Sequence, residues 1–572
     1  MEKLKRIPHI DLLLFGFLAL IYWGLNGHIT LWDQDEAAYA GFAKYMLDKG
    51  NSVIPYYYWS EIHRKPPLHV WFIALAYKMF GINTFAVRFF SALWVWLSVL
   101  LIRIKGARYL GVKYARMAAL FMAGNVFVLI LGKTGLTDGM MLFLYTLAGL
   151  SLTEYFTEGR RRSLIPFYVA LALGMLVKGP PIVLWAGFWW LLLWLFYPEK
   201  KTVVRMHPWI WGVAALIPFG IWIYKAWKLD PEFVKWWWDW YIMRRTHEAV
   251  INQTGPPGYY FILFFLFALP FLPLVFLAFR YVVKNLRSKN PLLILWILWL
   301  VAGWIPYEFL PSKLPSYALA SYPALALLAG LAMKEFDFGD IKVLRNLRRV
   351  HLLLLGLAAT GVVLLMIKWV PVPSRLFGLS VLLLALILAA WAIAWISKRH
   401  MGSHRYFSLY LSAGLIWTAT IGLVIFPLLD PLKNTTYRTA QAAAELQPEA
   451  RKTVLLNSKG QPPSLPFYVQ QFIPRTAIIK PDRKQMQFLD KHINEYRQSI
   501  WIISPEQWAH MSDTIPIEDF RIIKGFNLGN LQQNTYIVVK PAYRPKPDKS
   551  RRKANKKTAA SGKSAKRRIK KK

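Results

Sequence analysis

Long apolar runs are the feature that most constrains how this chain folds. They recur between Leu12 and Pro427, and each is long enough, at about 17 residues or more, to cross the hydrocarbon of a membrane as a helix. With 56% hydrophobic residues and 27 tryptophans among 572 residues, the chain is also too long and too apolar for one soluble core. The runs are continuous, whereas the strands of membrane barrels alternate in hydrophobicity. The sequence therefore predicts a polytopic α-helical membrane protein.

The positions of the basic residues orient these helices. The formal net charge is +41, but lysines and arginines concentrate in short loops between apolar runs, which argues against a nucleic-acid partner. Loops rich in Lys and Arg face the cytoplasm. Such loops lie at residues 3–6, 103–108, 160–162, 200–205, 284–289, 342–349 and 398–405. Placing them all inside puts the amino terminus in the cytoplasm. The first run lacks a small-residue cleavage site, so we expect a retained span.

This pattern predicts about thirteen transmembrane helices, and an odd number places the carboxy-terminal part outside. The segment KPPLHVWFIALAYKMFG is predicted to be an interfacial helix instead, because its apolar part is short and contains Lys78. The spans are predicted at residues 12–29, 89–104, 117–131, 140–156, 164–177, 182–197, 209–224, 259–279, 292–306, 317–333, 351–369, 376–396 and 407–427.

The composition changes after Pro431, where short apolar segments alternate with helical patterns. KTVLLN, SIWIIS, FRIIKGF and NTYIVV are typical of strands, and YRTAQAAAEL and RKQMQFLDKHINEY of helices. We predict a transmembrane domain over residues 1–429, a small outer α/β domain over 430–541, and a disordered basic tail over 542–572. The tail either lies on anionic lipid headgroups or is solvated without a specific ligand.

The predicted orientation gathers the unusual polar residues on the outer side. Asp33, Asp35 and Glu36 lie within four positions, and such carboxylates repel one another unless cations, hydrogen bonds or a raised pKa relieve them. Further charged groups lie in the outer segments EIHRKPP, KTGLTDG, LVKGPP, WDWYIMRRTHE and PSKLPSY. Acids and bases from six connections are therefore predicted to meet at one membrane face.

Each of the other residues, taken alone, also has an ordinary structural explanation. Basic side chains at helix ends reach the interface at little cost, which applies to Lys178, Lys313 and the pair Arg244-Arg245. Asp138 precedes an apolar helix and suits a helix start. The functional interpretation depends on these groups meeting in space.

Sugar transfer from a polyprenyl phosphate needs both signs of charge at an outer membrane face. The carrier phosphate needs Lys or Arg to compensate its charge. Preorganised cations lower the barrier as the leaving phosphate gains negative charge. A carboxylate opposite them takes a proton from an acceptor hydroxyl, or orients an amine or sugar group. The outer cluster is therefore predicted to be a glycosyl-transfer site.

At these motifs the chain resembles the GT-C membrane glycosyltransferases, in the branch that holds the lipid A aminoarabinose transferase and the protein O-mannosyltransferases. The motifs follow in order as DQDEAAYA, RKPPLHVW, NTFAVRFFSAL, LTDGMM, LVKGP and SKLPSYALASYPALALL. The resemblance implies a GT-C-like fold and inverting transfer from an undecaprenyl-phosphate sugar to a lipid A-like glycolipid, a glycan or a protein. It also implies a bacterial inner membrane, with the active site and C-terminal domain facing the periplasm.

The resemblance assigns roles to individual residues. Asp35 matches the family's proposed catalytic aspartate, Glu36 lies beside it, and Asp138 matches a second acid. Lys65 corresponds to a ligand of the carrier phosphate. An arginine between the seventh and eighth spans has the same role and is either Arg244 or Arg245. Positions that match the lining of the same cavity are Lys178, Lys313 and Tyr317.

Two residues depart from the aminoarabinose transferase pattern. Ala38 stands at the arginine position of the first motif, and Arg64 replaces the glutamate before the Lys-Pro pair. These departures bear on the sugar and the acceptor and leave the reaction class unchanged. If the acceptor is a hydroxyl, Asp35 is the expected base; if it is a phosphate, Asp35 positions the donor or acceptor.

Two other functional classes stay open at this point. A transporter or flippase of lipid-linked or small anionic substrates would place its site near the bilayer midplane, whereas the polar residues here concentrate at outer helix ends. A lipid-binding scaffold without catalysis is the other. The chain has no cysteine and its histidines lack ligand spacing, so no metal or other cofactor is expected, although a divalent ion bridging Asp35 and the phosphate stays open.

Overall fold

The chain divides into two compact units, Met1–Lys433 and Asn434–Lys572. The fold is that of a computed structural model, which describes residues 9–60, 64–244, 254–268, 271–336, 372–398, 403–456, 462–481, 498–511, 517–527 and 532–542, with isolated residues between 346 and 367. Nearly all of the predicted basic tail, 543–572, lies outside the described residues.

The first unit is built of helices that follow the apolar runs. Its α-helices are α1 (His9–Trp23), α2 (Asp35–Lys49), α3 (Leu68–Phe80), α4 (Thr84–Leu110), α5 (Val112–Ala123), α6 (Val126–Lys133), α7 (Thr137–Glu158), α8 (Leu164–Lys178), α9 (Pro181–Phe196), α10 (Lys200–Val204), α11 (Val213–Leu229), α12 (Pro231–Trp238), α13 (Tyr259–Phe267), α14 (Leu272–Lys284), α15 (Pro291–Ala302), α16 (Ile305–Glu308), α17 (Ser321–Lys334), α18 (Val372–Lys398), α19 (Ser403–Thr420) and α20 (Phe426–Leu429). Short 3₁₀ or π turns occupy Arg161–Ser163, Pro208–Gly212, Asp239–Met243, Pro315–Ala320, Ile421–Ile425 and Asp430–Leu432.

The predicted membrane class is confirmed. Within the described residues, five helices are long and apolar enough to cross a membrane, or six if the bent pair α5 and α6 forms one span. Several others are shorter apolar helices of 10–17 residues. The predicted spans outside 351–369 all overlap a described helix, while 351–369 lies largely outside the described residues. The number thirteen therefore stays a prediction.

Some predicted spans have the wrong limits, for local reasons. The first helix ends at Trp23 because the backbone turns at Leu25, whose φ is 61°, and the Asn26 amide donates to the Tyr22 carbonyl at 2.8 Å. The span predicted over 117–131 is instead two helices bent by 66°, since Asn125 caps the start of α6.

The span predicted over 259–279 is also divided, because α13 ends at Phe267 and α14 begins at Leu272. A π turn precedes α11, which begins at Val213, four residues after the predicted start of its span. A 3₁₀ turn likewise covers the start of the span predicted over 317–333, and α17 begins at Ser321.

Helix α4 connects two buried charge clusters at opposite ends. At its 27 residues and 1.5 Å per residue it is about 40 Å long, enough to span a bilayer. Near its start Arg88 pairs with Glu36, and near its end Arg103 pairs with Asp11 of α1. The basic residues predicted as a loop over 103–108 lie instead in the last turns of α4. They and the acidic motif are therefore near opposite ends of one helix, as the predicted orientation requires.

Aromatic packing joins α9, α15 and α7 in the core. The rings of Trp189 and Trp299 stack with centroids 5.4 Å apart, and Trp185 lies 5.3 Å from Trp189. Trp299 lies against Gly149 of α7, where any Cβ would overlap the indole ring. The close approach of these helices stabilises the framework behind the candidate site.

The second unit has the strands β1 (Lys452–Leu456), β2 (Ala477–Ile479), β3 (Ser499–Ile503), β4 (Ile517–Asn527) and β5 (Gln532–Pro541), and the helices α21 (Thr435–Leu446), α22 (Ser464–Phe472) and α23 (Pro505–Met511). Within the described residues, the strands form a five-stranded mixed sheet of order β2-β1-β3-β5-β4. β1 pairs in parallel with β2 and β3, whereas β5 pairs antiparallel with β3 and β4. The four predicted strands are confirmed, β2 is too short to have been predicted, and the helix predicted from RKQMQFLDKHINEY lies outside the described residues.

Candidate active site

The first acidic motif lies at the start of α2, and its two adjacent carboxylates have different surroundings. The Asp35 side chain is 49% exposed, whereas that of Glu36 is fully buried. Gln34, just before the helix, has φ 73° and ψ −107°, a region that residues with a Cβ rarely adopt. Asp35 is therefore the acid accessible to a substrate, and it follows a strained turn.

Four N–H donors hold the Glu36 carboxylate. Arg88 donates through Nε at 2.7 Å and Nη2 at 2.8 Å, and the backbone N–H groups of Trp32 and Gly135 donate at 2.7 and 2.6 Å. Burial alone would raise the pKa of Glu36, but the Arg88 charge and these hydrogen bonds hold it below the ordinary value of 4.5. This geometry favours a positioning role for Glu36, and the catalytic role predicted from the resemblance stays a prediction.

The Lys-Pro-Pro turn meets the acidic motif. Lys65 Nζ lies 3.7 Å from Asp35 Oδ1 and donates a hydrogen bond to the Tyr39 hydroxyl. That hydroxyl in turn donates to Asp35 Oδ1 at 3.4 Å. Since the Lys65 side chain is 11% exposed, its ammonium is held next to a carboxylate that a substrate can reach. The structure therefore brings together an acid and a base from two separate connections.

Asp138 and Lys178 form a second ion pair. Asp138 lies in the first turn of α7 and Lys178 in the last turn of α8, and their Oδ1 and Nζ atoms are 2.5 Å apart. Lys178 also donates to the Ser316 hydroxyl at 3.1 Å. Both charged side chains are 12% exposed. Beside the pair lies a narrow cavity lined by Asp138, Met141, Tyr145, Lys178, Pro181, Ser316, Tyr317 and Leu319.

Gly135 joins the loop before α7 to both α2 and α3. Its N–H donates to Glu36, and its carbonyl oxygen lies 2.9 Å from Nε2 of His69 on α3. The His69 ring meets the Tyr39 ring edge-on, with centroids 5.5 Å apart. A Cβ on Gly135 would lie 2.5 Å from Val87 Cγ1, so only glycine allows this approach. The Asp138 loop is thus fixed to the elements that carry Asp35 and Lys65.

The remaining predicted residues have other described partners. Lys313 is buried and donates to the Glu308 carboxylate at 3.3 Å and the Glu308 carbonyl at 3.0 Å. Arg244 pairs with Asp239 at 3.0 Å, and both side chains are about half exposed, at 51% and 53%. Tyr317 lines the cavity beside Asp138. Arg245 lies outside the described residues, so a choice between the two arginines stays a prediction.

Comparisons with known proteins support the family predicted from the motifs. A family model described as dolichyl-phosphate-mannose-protein mannosyltransferase matches residues 64–224. The chain is also similar to undecaprenyl phosphate-alpha-4-amino-4-deoxy-L-arabinose arabinosyl transferases of Wigglesworthia glossinidia brevipalpis and Shewanella sediminis (strain HAW-EB3), with 23% and 28% identity over 357 and 351 residues. These matches cover 61% and 57% of this chain but only 63% and 60% of the relatives, less than two thirds of their length.

A solved structure has the same fold over nearly the whole chain. The crystal structure of ArnT from Cupriavidus metallidurans bound to undecaprenyl phosphate superimposes with a TM-score of 0.73 at 18% identity, covering 95% of this chain and 100% of that one. The chain therefore has the fold of this transferase and is similar to the arabinosyl transferases over part of its length. The predicted resemblance and the predicted fold class are therefore confirmed.

Sequence reasoning missed several residues that build this candidate site. Arg88 had a signal, because an arginine inside an apolar run is costly and usually functional or paired. Tyr39 and His69 lie in the quoted motifs, but their partners could not be read from spacing. Ser316 had no chemical signal. Within the described part of the chain, no group of three or more His, Asp or Glu residues is placed to hold a metal ion.

Proposed function

We propose that this protein transfers a sugar, with inversion, from an undecaprenyl-phosphate donor to an acceptor of the bacterial envelope at the periplasmic face of the inner membrane. The acceptor class that the motif resemblance implies is a lipid A-like glycolipid, with a glycan or a protein as the other possible acceptors. The observation that carries the proposal is the meeting of Asp35 and Lys65, 3.7 Å apart, from two connections that the basic loops place on the outer side.

Lys65 has the placement needed to bind and stabilise the leaving phosphate. In an inverting transfer, the acceptor oxygen bonds to the anomeric carbon as the carbon–oxygen bond to phosphate breaks on the opposite side. Undecaprenyl phosphate then departs with the electron pair. An ammonium preorganised by Tyr39 and Asp35 stabilises the negative charge that grows on this leaving group.

Asp35 suits the acceptor side of the same reaction. Its carboxylate is half exposed, so an incoming group can reach it, whereas Glu36 is buried and held by Arg88 and two backbone N–H groups. With a hydroxyl acceptor, Asp35 takes the proton as the new bond forms. With a phosphate acceptor no proton has to leave, and Asp35 orients the sugar or the acceptor.

Asp138 and Lys178 extend the same face toward the Tyr317 cavity. The pair is almost withdrawn from solvent, and Lys178 has one further described partner in Ser316. We infer that Lys178 takes a share of the donor phosphate charge when the donor binds, with Asp138 holding its ammonium in place. The resemblance implies that Arg244 or Arg245 also binds the donor phosphate.

The test is an Asp35→Asn variant with Asp48→Asn as its control. Asp48 lies on the same helix but is exposed and paired with Lys44. Purified protein in liposomes receives an undecaprenyl-phosphate sugar and a lipid A acceptor, and both sugar transfer and undecaprenyl phosphate binding are measured. We expect Asp35→Asn to lose transfer by about 10²–10⁴-fold if it is the base, with lipid binding retained. Lys65→Ala should weaken binding as well.

Each contrary result has a distinct meaning. Unchanged transfer by Asp35→Asn removes Asp35 from the mechanism. Movement of the lipid-linked sugar across the liposome without a glycosylated product would favour a transporter. Lipid phosphate binding without transfer by the wild-type chain, over a panel of sugars and acceptors, would leave a binding scaffold.

The proposed sidedness has a direct test because the chain has no cysteine. Single Asp48→Cys and Glu449→Cys variants should react with a membrane-impermeant maleimide added to intact spheroplasts. Arg160→Cys should react only after the membrane is broken. Labelling of Asp48→Cys and Arg160→Cys from the same side would contradict the proposed orientation.

A further inference from the structure

A second group of buried charges holds the loop between α1 and α2, and the proposed mechanism does not use it. The Thr30 N–H and hydroxyl both donate to Asp430 Oδ1, at 2.8 and 2.7 Å. Lys433 donates to the Thr30 carbonyl and, at 3.0 Å, to the Thr30 hydroxyl oxygen. Lys433 Nζ also lies 3.1 Å from Asp430 Oδ1. All three residues are at least nine-tenths buried.

This group connects directly to the residues that hold the acidic motif. The Thr30 carbonyl that accepts from Lys433 also accepts from Arg88 Nη2 at 2.8 Å, and Arg88 is the partner of Glu36. Lys433 Nζ lies 4.9 Å from the centre of the Trp32 ring. Two cations, Arg88 of α4 and Lys433 directly after the 3₁₀ turn Asp430–Leu432, therefore hold the same loop.

The contacts of Lys433 and Asp430 with Thr30 lie close to the strained turn before Asp35 and help to hold that turn in place. The Gln34 φ of 73° lies in a region that costs about 1–3 kcal/mol and persists only where the surroundings enforce it. On one side of Gln34, Thr30 and Trp32 are held by Lys433 and Arg88; on the other, Glu36 is held by Arg88 and Gly135. Loss of the Lys433 contacts would release the segment before Gln34. Because Asp35 directly follows Gln34, its position would then change.

We propose that Lys433 is a positioning residue for the sugar-transfer reaction. With Asp430, it fixes the turn from Thr30 to Gln34 and so sets where the Asp35 carboxylate lies relative to Lys65. This inference rests on the proposed function, since it assigns Lys433 a role in that reaction. Lys433 lies 403 positions from Thr30 and touches no group that would bond to the donor phosphate in the proposed mechanism, so its effect acts through the loop.

The test compares Lys433→Met, Lys433→Arg and Thr30→Val in the full chain. A displacement of about 1 Å at a reacting group costs up to about 100-fold in rate. We therefore expect Lys433→Met to lower kcat by about 10–100-fold while the Kd for undecaprenyl phosphate stays within about twofold of wild type. Lys433→Arg, which keeps the charge and the donors, should recover part of the rate.

The controls separate positioning from general stability. Lys49→Met removes an exposed lysine of the last turn of α2 and should leave kcat unchanged. Thr30→Val keeps the carbonyl but loses the hydroxyl contacts. It is the milder variant, and it tests the same inference if Lys433→Met does not fold. Combining Thr30→Val with Lys433→Met should cost less than the product of the two single effects, because both act through one loop.

Two results would overturn the inference while leaving the proposed function intact. One is an unchanged kcat in folded Lys433→Met and Thr30→Val; the other is a loss that appears equally in the Kd for undecaprenyl phosphate. If the wild-type chain transfers no sugar, the proposed function fails, and a solved structure of Lys433→Met then decides the inference. A displaced Asp35 in that structure would support the positioning role of Lys433, and an Asp35 that stays in place beside Lys65 would overturn it.

Discussion

Removing the guanidinium of Arg88 should destabilise the protein more than any other single change at this site. Arg88 is fully buried and donates five hydrogen bonds, two to Glu36 and one each to the carbonyls of Asn26, Ile29 and Thr30. Arg88→Met leaves the Glu36 carboxylate buried without its counter-charge, which costs about 3–5 kcal/mol when a buried pair is broken from one side. The three carbonyls that lose a donor add to this cost.

A double-mutant cycle isolates the pair. Adding Glu36→Gln to Arg88→Met should recover part of the loss, because a neutral amide needs no counter-charge. The measurement is thermal unfolding of purified protein in detergent, together with sugar transfer. As control, Lys44→Met breaks an exposed pair worth about 0.3–0.5 kcal/mol. Should Arg88→Met unfold at the same temperature as Lys44→Met, or should the cycle show no coupling, the Arg88–Glu36 pair does not hold α2 in place.

Three further predictions concern neighbouring groups. Asp138→Asn should lower transfer by about tenfold or more, since Lys178 loses the carboxylate that places it, and a rate equal to wild type would exclude that role. Gly135→Ala should lower both Tm and transfer because its Cβ would lie 2.5 Å from a Val87 carbon, whereas Gly187→Ala, with open space around it, should change neither. Finally, the depressed pKa of Glu36 contributes stability that is fully present above about pH 4.5, its ordinary value, and is lost as the pH falls through the lower folded-state pKa. The decline of Tm in acid should therefore be weaker in Glu36→Gln, and identical profiles would contradict the buried ion pair.

The sequence predicted the helices and the meeting of the outer motifs, because both depend on patterns local in the chain. Apolar runs and basic loops determined which ends of the helices share a face, and Asp35 and Lys65 meet as that orientation requires. The different roles of Asp35 and Glu36 could not be predicted. They depend on Arg88, 52 positions away from Glu36, and on which side of α2 packs against α4.

Lys433 and Asp430 were beyond sequence reasoning for a similar reason. Next to Pro431 they belong to an ordinary polar segment after an apolar run, and their partner Thr30 is about 400 positions away, with separations of 400 and 403. Contacts of this kind follow from how the last helices of the first unit pack, which no local pattern encodes. Arg88 was different, because a charged residue inside an apolar run is itself a signal.

Asp35 and Glu36 depend on each other because they are consecutive residues of one helix. Consecutive residues of a helix point about 100° apart, so α2 can bury Glu36 against α4 only if Asp35 turns away from that packing and toward Lys65. The buried ion pair then fixes the rotation of the first turn of α2, and with it the direction of the exposed carboxylate. Exchanging the two residues would therefore not exchange their roles. An aspartate at position 36 is one methylene too short to accept from Arg88, Trp32 and Gly135 together, and we expect Glu36→Asp to lose transfer although every charge is kept.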